Sequence, residues 1–244
     1  MCAAAEKDFR VVCLGGSAGS LEAYTGILRH MPADTGMAFV IASHRNLENA
    51  SLLLPILARV TTMPVVEAEE GMSLEPNRVY LMPPSVEMTV KNNEFALQPP
   101  RKPRGWPMTI SIFLLSLAEA CGQRAIAVIL SGMDRDGSAA LKAIKAAGGM
   151  TFAQSNAEFK DMPRHAVETG HVDFILSPAE IASKLLELNS SRGGGPKTFP
   201  GGFVPTRDKG QPRGCPKRVS LWDTKYQFRR RRSLQIFKVA RYTS

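Results

Sequence analysis

The sequence predicts an α/β domain built on a mainly parallel sheet and followed by a basic tail. Residues 11–14, 37–42 and 124–130 form short runs that are almost wholly apolar. A strand buried on both faces has this pattern, which is typical of parallel sheets. Segments with helical spacing of apolar residues separate the runs. Strands that alternate with helices predict a parallel α/β sheet.

The remaining elements follow from the same two periodicities. Predicted helices cover residues 21–31, 52–60, 108–120, 138–147, 163–169 and 178–188. Predicted strands cover residues 11–14, 37–42, 65–66, 78–82, 87–90, 95–97, 124–130, 150–153 and 172–176, and Asn92-Asn93 predicts a β-hairpin turn. Ser51 is expected to cap the helix at 52–60, with Pro55 in its first turn. Residues 98–107 hold four prolines and three cations, which predicts a stiff exposed loop.

The charge distribution separates the predicted domain from a tail. Residues 1–192 hold 18 Lys and Arg against 20 Asp and Glu, a net charge of −2, whereas residues 193–244 hold 13 against 2, a net charge of +11. The basic pI therefore belongs to the tail and does not make the domain a nucleic-acid binder. We predict a catalytic domain at 1–190 and a basic, disordered extension at 191–244. Four consecutive arginines, residues 229–232, offer nucleic acid or an acidic surface as alternative partners of that extension.

The cysteines and the hydropathy pattern indicate a soluble protein of the cytoplasm. Four widely spaced cysteines form no C-x-x-C pair, so reduced thiols are expected. No apolar run approaches the roughly 18 residues that a membrane span needs, and the first ten residues lack the apolar region of a secretory signal.

The stretch VVCLGGSAGSLE, residues 11–22, carries the clearest chemical signal. A β-forming run gives way to glycines and then to a helix, and Gly15-x-Ser17-x-Gly19 fits the nucleophile-elbow pattern. Ser17 is therefore a candidate nucleophile. A glycine-rich turn between a strand and a helix also suits a phosphate site or a purely structural turn. The phosphate interpretation is weaker, because no Lys-Ser or Lys-Thr follows the glycines.

Two further polar residues follow predicted strands and are expected at the same sheet edge. His44 follows the strand at 37–42, and Asp136 follows the strand at 124–130. In an open α/β sheet, ligands bind at the carboxyl ends of the strands. A serine hydroxyl needs an imidazole base, and a carboxylate orients that base. The backbone N–H of Ala18, with a second donor from the turn Gly132-Met133, is expected to bind the oxyanion.

The order of these residues along the chain is Ser, His, Asp, which differs from the α/β-hydrolase order of Ser, Asp or Glu, His. Several longer motifs resemble the catalytic domain of the chemoreceptor protein-glutamate methylesterases, especially the version fused to a methyltransferase domain. They are GGSAGSLEA (15–23), FVIASH (39–44), MPVVEAEEGM (63–72), VYLMPP (79–84), AIAVILSGMDRDGS (125–138) and MPRHAVETGHVDFIL (162–176).

The resemblance implies a doubly wound, mainly parallel sheet with helices on both faces. It makes Ser17 the nucleophile, His44 the base and Asp136 the acid of a triad; Asp134 is the competing acid, but the spacing before Gly137 selects Asp136. It implies hydrolysis of glutamyl γ-methyl esters on the cytoplasmic domain of chemoreceptors, with release of methanol, and deamidation of some receptor glutamines. It implies no metal and no organic cofactor, and it offers a methyltransferase as a partner.

Two departures from the family pattern accompany the resemblance. Stand-alone members carry an N-terminal receiver domain, whereas about ten residues precede the first strand here, so phosphorylation control within the chain is not expected. Members often have an acidic residue where this chain has Ser111, which concerns the substrate loop. The alternative functions are a docking or regulatory module without turnover and a general small-molecule esterase. His165 and His171 are interpreted as surface histidines, and His30 as a helix-dipole contact.

Overall fold

The computed structural model describes residues 8–43, 47–100 and 108–190, with side chains from residue 52 onward in the second range. Nine strands and six α-helices occur in the described part of the chain. The strands are β1 (Arg10–Gly16), β2 (Met37–Ser43), β3 (Val65–Glu67), β4 (Arg78–Leu81), β5 (Glu87–Lys91), β6 (Glu94–Gln98), β7 (Ala125–Ile129), β8 (Met150–Gln154) and β9 (Phe174–Leu176). The helices are α1 (Ser20–Leu28), α2 (Leu47–Ala58), α3 (Thr109–Cys121), α4 (Leu141–Ala146), α5 (Asp161–Glu168) and α6 (Pro178–Ser190).

The main sheet is parallel throughout, as predicted. Its seven strands have the order β3-β4-β2-β1-β7-β8-β9, and β5 pairs with β6 in a separate antiparallel hairpin. Because β2 lies on one side of β1 and β7 on the other, the direction of winding reverses at β1. Ligands of doubly wound sheets bind at such a switch point, outside the carboxyl ends of the strands.

Both faces of the sheet are covered by helices. Alternate residues of β1 point to opposite faces, so Val11 and Cys13 belong to one apolar cluster and Val12 and Leu14 to the other. Residues of α3, α4, α5 and the hairpin share the first cluster, and residues of α1, α2 and α6 share the second. The continuous apolar runs of the sequence thus reflect burial on both faces.

Two helix predictions were wrong in detail. The helix predicted at 52–60 begins at Leu47, so Ser51 lies inside α2 and is not its cap, and Pro55 lies in the helix interior. Pro55 has no N–H to donate to the carbonyl four residues earlier, a loss that the apolar packing of α2 offsets. The helix predicted at 138–147 is a 3₁₀ turn over Ser138–Ala140 followed by α4.

Some predictions concern residues outside the described part of the chain. The extension at 191–244 and most of the loop at 98–107 fall there, as does His44. Within the described residues, no helix is both long enough and apolar enough to span a bilayer. Cys13 and Cys121 are free, buried thiols, as the cysteine spacing predicted.

Candidate active site

The turn between β1 and α1 has the predicted strand, turn, helix arrangement. β1 ends at Gly16 and α1 begins at Ser20, with Gly19 in the left-handed region at φ 70°. A Cβ atom on Gly16 would lie 2.7 Å from both the Ser20 Cβ and the Tyr24 hydroxyl. Gly16 is therefore required because the turn lies close to its own helix, and Gly19 because other residues rarely adopt its backbone angle.

Hydrogen bonds fix the backbone of Ser17 on both sides. The Ser17 N–H donates to the carbonyl of Ser131, 2.9 Å away, and the Ser17 carbonyl accepts from the Ser20 N–H and hydroxyl at 3.2 and 2.6 Å. The Ser17 Cβ lies 3.2 Å from the position that a Cβ on Gly132 would occupy. The side chain of Ser17 thus leaves its backbone close to Gly132, in the loop that follows β7.

Ser131 ties the Ser17 turn to the loop after β8, a role that sequence reasoning missed. Its side chain is fully buried, and its hydroxyl donates to the carbonyl of Ala18 at 2.8 Å and accepts from the N–H of Phe159 at 3.0 Å. Its own N–H donates to the Gln154 side chain at 3.0 Å. No spacing rule marks Ser131 in the sequence, since its partners come from three separate segments.

Two backbone N–H groups beside Ser17 are available to a ligand. In the described parts of the chain, neither the Ala18 N–H nor the Met133 N–H donates to a protein acceptor. The Gly132 N–H, in contrast, donates to the carbonyl of Phe159 at 3.0 Å. Of the turn Gly132-Met133 predicted to supply a second donor, Met133 therefore has the available group. Its side chain is 63% exposed.

Asp136 is buried below the same edge, where its carboxylate caps α3. It is 2% exposed, and its Oδ2 accepts from the Ile110 N–H at 2.8 Å while its Oδ1 accepts from the Ser111 N–H at 2.9 Å. These donors belong to the first turn of α3, whose N–H groups lack partners within the helix. The residue before α3, Met108, provides no side-chain cap.

Ser111 lies against Asp136, not in a substrate loop. Its hydroxyl donates to Asp136 Oδ1 at 2.6 Å and accepts from the Gly137 N–H at 2.8 Å. The competing acid, Asp134, is half-buried and uses its Oδ1 to accept from the Asp136 N–H at 2.8 Å. Asp134 thus holds the backbone at Asp136.

The negative charge of Asp136 also acts on the strand beneath it. Burial raises the pKa of the Cys13 thiol far above its usual value, and the charge of Asp136 raises it further. Cys13 is therefore a neutral core residue.

His44 comes directly after Ser43, the last residue of β2, and the structure describes neither its position nor its contacts. Ser43 pairs with Gly16 across the ladder between β2 and β1. The ladder therefore sets the end of β2 level with the residue before Ser17.

Of two other histidines, His165 contacts a loop at this edge of the sheet and His30 contacts the end of a helix. His165 is half-buried, and its Nδ1 lies 3.1 Å from the carbonyl of Asp134, so it contacts the loop after β7. His30 Nδ1 lies 2.6 Å from the carbonyl of Gly26 at the end of α1, which agrees with the predicted helix-end contact. The described residues contain no cluster of three or more His, Cys, Asp or Glu side chains able to hold a metal.

The comparison with known proteins agrees with this architecture. The family model described as CheB methylesterase matches residues 12–185. The chain belongs to the CheB methylesterase family. The crystal structure of the Thermotoga maritima CheB methylesterase catalytic domain is similar over 74% of this chain and 99% of that chain, with a TM-score of 0.69 and 26% sequence identity.

Curated relatives extend the match. A protein of Leptospira interrogans named putative protein-glutamate methylesterase/protein-glutamine glutaminase is 29% identical over 75% of this chain and 97% of its own length. A Paramagnetospirillum magneticum protein-glutamate methylesterase/protein-glutamine glutaminase is 32% identical over 75% of this chain.

The chain spans 53% of that second relative. It also matches 13% of an uncharacterized 104.1 kDa protein of Rhodobacter capsulatus, at 42% identity over 128 residues. The family named from the sequence motifs is thereby confirmed, whereas the particular resemblance to the version fused to a methyltransferase domain stays a prediction.

Proposed function

We propose that this CheB-family domain is a serine esterase that removes methyl groups from glutamyl γ-methyl esters on the cytoplasmic domain of chemoreceptors. Ser17 is the nucleophile, His44 the base and Asp136 the acid that orients the base. One observation carries the proposal: the side chain of Ser17 leaves a fixed turn at the switch point of the sheet, next to two N–H groups that have no protein acceptor among the described residues. Buried Asp136 lies in the loop that supplies one of them.

The reaction proceeds in two halves. In the first, the Ser17 hydroxyl attacks the ester carbonyl carbon while His44 takes its proton. The N–H groups of Ala18 and Met133 stabilise the negative oxygen of the tetrahedral intermediate. The C–O bond to the methoxy group then breaks, and His44 returns the proton so that methanol leaves.

In the second half, water hydrolyses the resulting acyl-enzyme. His44 takes a proton from the attacking water, the bond between Ser17 and the glutamyl carbon breaks, and the proton returns to Ser17. The receptor is left with a free glutamate. A glutamine side chain passes through the same acyl-enzyme with ammonia as the leaving group, which accounts for deamidation as a second activity of the same site.

The pairing of β2 with β1 supports the choice of His44 as the base, a residue that lies outside the described part of the chain. β2 runs parallel to β1 in register, and Ser43 pairs with Gly16. Ser43 therefore lies at the edge of the sheet from which Ser17 emerges. His44 follows Ser43 in the sequence, which supports the proposal that His44 is the base.

The test is methanol release from a methylated receptor cytoplasmic fragment, together with labelling of Ser17 by a fluorophosphonate. Ser17→Ala should abolish both, and His44→Ala and Asp136→Asn should lower kcat by about 10⁴-fold. Ser183→Ala is the control, because among the described residues that exposed serine on α6 bonds only to the carbonyl of Ala179 within its own helix. Full methanol release by Ser17→Ala would overturn the proposal.

Two further outcomes identify the alternatives. A docking module without turnover would bind the receptor fragment but take no fluorophosphonate label. A general esterase would hydrolyse a simple aryl ester as fast as methylated receptor.

A further inference from the structure

We infer that Ser20 is a positioning residue of the oxyanion site: its hydroxyl holds and polarises the peptide whose N–H binds the oxyanion. The inference rests on the proposed function, in which the Ala18 N–H stabilises the negative oxygen of the tetrahedral intermediate. Ser20 is the first residue of α1 and is 4% exposed, so its side chain acts on the turn from within the protein.

The Ala18 N–H belongs to the same peptide unit as the Ser17 carbonyl. That peptide is trans, as are all the peptide bonds of the described residues. A trans peptide is planar, and its C=O and N–H point in opposite directions. A hydrogen bond that fixes the direction of the Ser17 carbonyl therefore also fixes the direction of the Ala18 N–H.

The Ser20 hydroxyl makes the shorter of two hydrogen bonds to that carbonyl. It donates to the Ser17 oxygen at 2.6 Å, whereas the Ser20 N–H donates to the same oxygen at 3.2 Å. Typical distances are about 2.7–2.8 Å for O–H···O bonds and about 2.9–3.0 Å for N–H···O bonds, so the first bond is short and the second is long. The hydroxyl is therefore the stronger contact, and a substitution at position 20 removes it.

Gly16 leaves the space in which this hydroxyl lies. A Cβ atom on Gly16 would lie 2.7 Å from the Ser20 Cβ and 3.1 Å from the Ser20 Oγ. Within the described parts of the chain, the Ser20 hydroxyl has one hydrogen-bond partner, the Ser17 carbonyl. The close packing and the single partner together direct the hydroxyl at the peptide that carries the Ala18 N–H.

The second proposed oxyanion donor has the same arrangement. The Met133 N–H shares its peptide unit with the Gly132 carbonyl, which accepts from the Met162 N–H at 3.0 Å. Both proposed donor peptides are therefore hydrogen-bonded at the carbonyl opposite the N–H. Such a bond makes the N–H a stronger donor, because hydrogen bonds in a chain polarise one another. The Met162 donor belongs to the backbone, whereas the Ser20 hydroxyl can be removed by mutation.

Loss of the Ser20 hydroxyl should slow turnover without weakening receptor binding. Complete loss of an oxyanion donor lowers kcat by about 10²–10³-fold, and one bond in a hydrogen-bonded chain strengthens its neighbour by about 10–30%. That fraction of the effect, taken on a logarithmic scale, is about a two- to eightfold loss. We therefore expect kcat to fall by this factor in Ser20→Ala, with KM unchanged, because the oxyanion forms only after the substrate has bound.

The experiment compares wild type, Ser20→Ala and Thr25→Val in the full chain. It measures methanol release from the methylated receptor fragment, the rate of fluorophosphonate labelling of Ser17, and thermal melting. Labelling should slow by about the same factor as kcat, because the phosphonyl oxygen gains negative charge beside the same N–H groups.

Thr25→Val is the matched control. Thr25 also lies on α1, and its hydroxyl also donates to the carbonyl three residues earlier, that of Glu22, at 2.9 Å. The peptide that follows Glu22 lies inside the helix and carries no proposed oxyanion donor. Thr25→Val should therefore keep the kcat and the labelling rate of the wild type.

Two further measurements separate positioning from general support of the fold. The phosphorus NMR chemical shift of the labelled protein responds to hydrogen bonds at the phosphonyl oxygen, so it should move in Ser20→Ala and not in Thr25→Val. Ser20→Cys keeps a weak donor in similar volume and should have a kcat between those of wild type and Ser20→Ala. It also serves as the test variant if Ser20→Ala does not fold.

Two results would overturn the inference while leaving the proposed function intact. One is a kcat and a labelling rate for Ser20→Ala equal to those of Thr25→Val. The other is a lower Tm for Ser20→Ala with an unchanged phosphorus shift, which is the behaviour of a serine that only supports the fold. Failure of the proposed function is recognised separately, by full methanol release by Ser17→Ala.

Discussion

Replacement of Ser131 by alanine tests whether the Ser17 turn depends on a neighbouring loop. The Ser131 hydroxyl makes hydrogen bonds to the Ala18 carbonyl at 2.8 Å and the Phe159 N–H at 3.0 Å. Ser131→Ala leaves both groups without this partner. A buried polar group left unsatisfied costs about 1–3 kcal/mol. Because Phe159 is half-buried, we expect Ser131→Ala to lower the free energy of unfolding by about 2 kcal/mol, the middle of that range.

That free energy converts into measurable changes. In a domain of this size, about 2 kcal/mol lowers Tm by about 4–8 °C. Release of the Ala18 carbonyl should also loosen the backbone of Ala18, so that its N–H, in the preceding peptide unit, is presented less accurately to the oxyanion. Complete loss of an oxyanion donor costs about 10²–10³ in kcat, so partial displacement should cost about tenfold. Differential scanning calorimetry and methanol release measure the two effects.

Ser138→Ala provides the control. Ser138 is also a buried serine after β7, but within the described residues its hydroxyl has no hydrogen-bond partner. Its removal should leave Tm unchanged or slightly raised, because no hydrogen bond is broken. If Ser131→Ala matched Ser138→Ala in both Tm and kcat, the reasoning about the Ser131 hydroxyl would be refuted.

Three other predictions follow from close contacts and charge. Gly132→Ala would place a Cβ 2.0 Å from the Met162 sulfur. We therefore expect the free energy of unfolding, measured with denaturant, to fall by about 1–3 kcal/mol. An unchanged denaturation midpoint would contradict the packing described. Burial acts to raise the pKa of Asp173, but hydrogen bonds from Lys145 and Thr151 outweigh it and lower that pKa. The contribution of Asp173 to the free energy of unfolding should therefore be complete above about pH 4 and be lost as pH falls further. In melting experiments, the Tm of Asp173→Asn should depend less on acid pH than the Tm of the wild type. Cys13 should resist iodoacetamide in the native protein and react on unfolding, as peptide mass mapping can show, because burial raises the pKa of its thiol.

Local patterns were sufficient to predict the order and type of the elements. An apolar run such as residues 37–42 indicates a strand buried on both faces, and glycines after β1 indicate a sharp turn. The same patterns placed Ser17 and Asp136 at the carboxyl ends of β1 and β7, because parallel strands bring those ends to one edge. They failed for α2, where packing of an apolar helix tolerates Pro55 in its interior.

Only the tertiary structure decided which groups support that edge. Ser111 and Asp136 are 25 residues apart, and Ser131 and Ala18 are 113 apart, so no local rule links either pair. The partners are set by the strand order, which brings α3 and the loop after β7 together beside β1. The motif Gly15-x-Ser17-x-Gly19 determined where a nucleophile could emerge, whereas its fixed backbone and its available N–H neighbours depend on hydrogen bonds between distant segments.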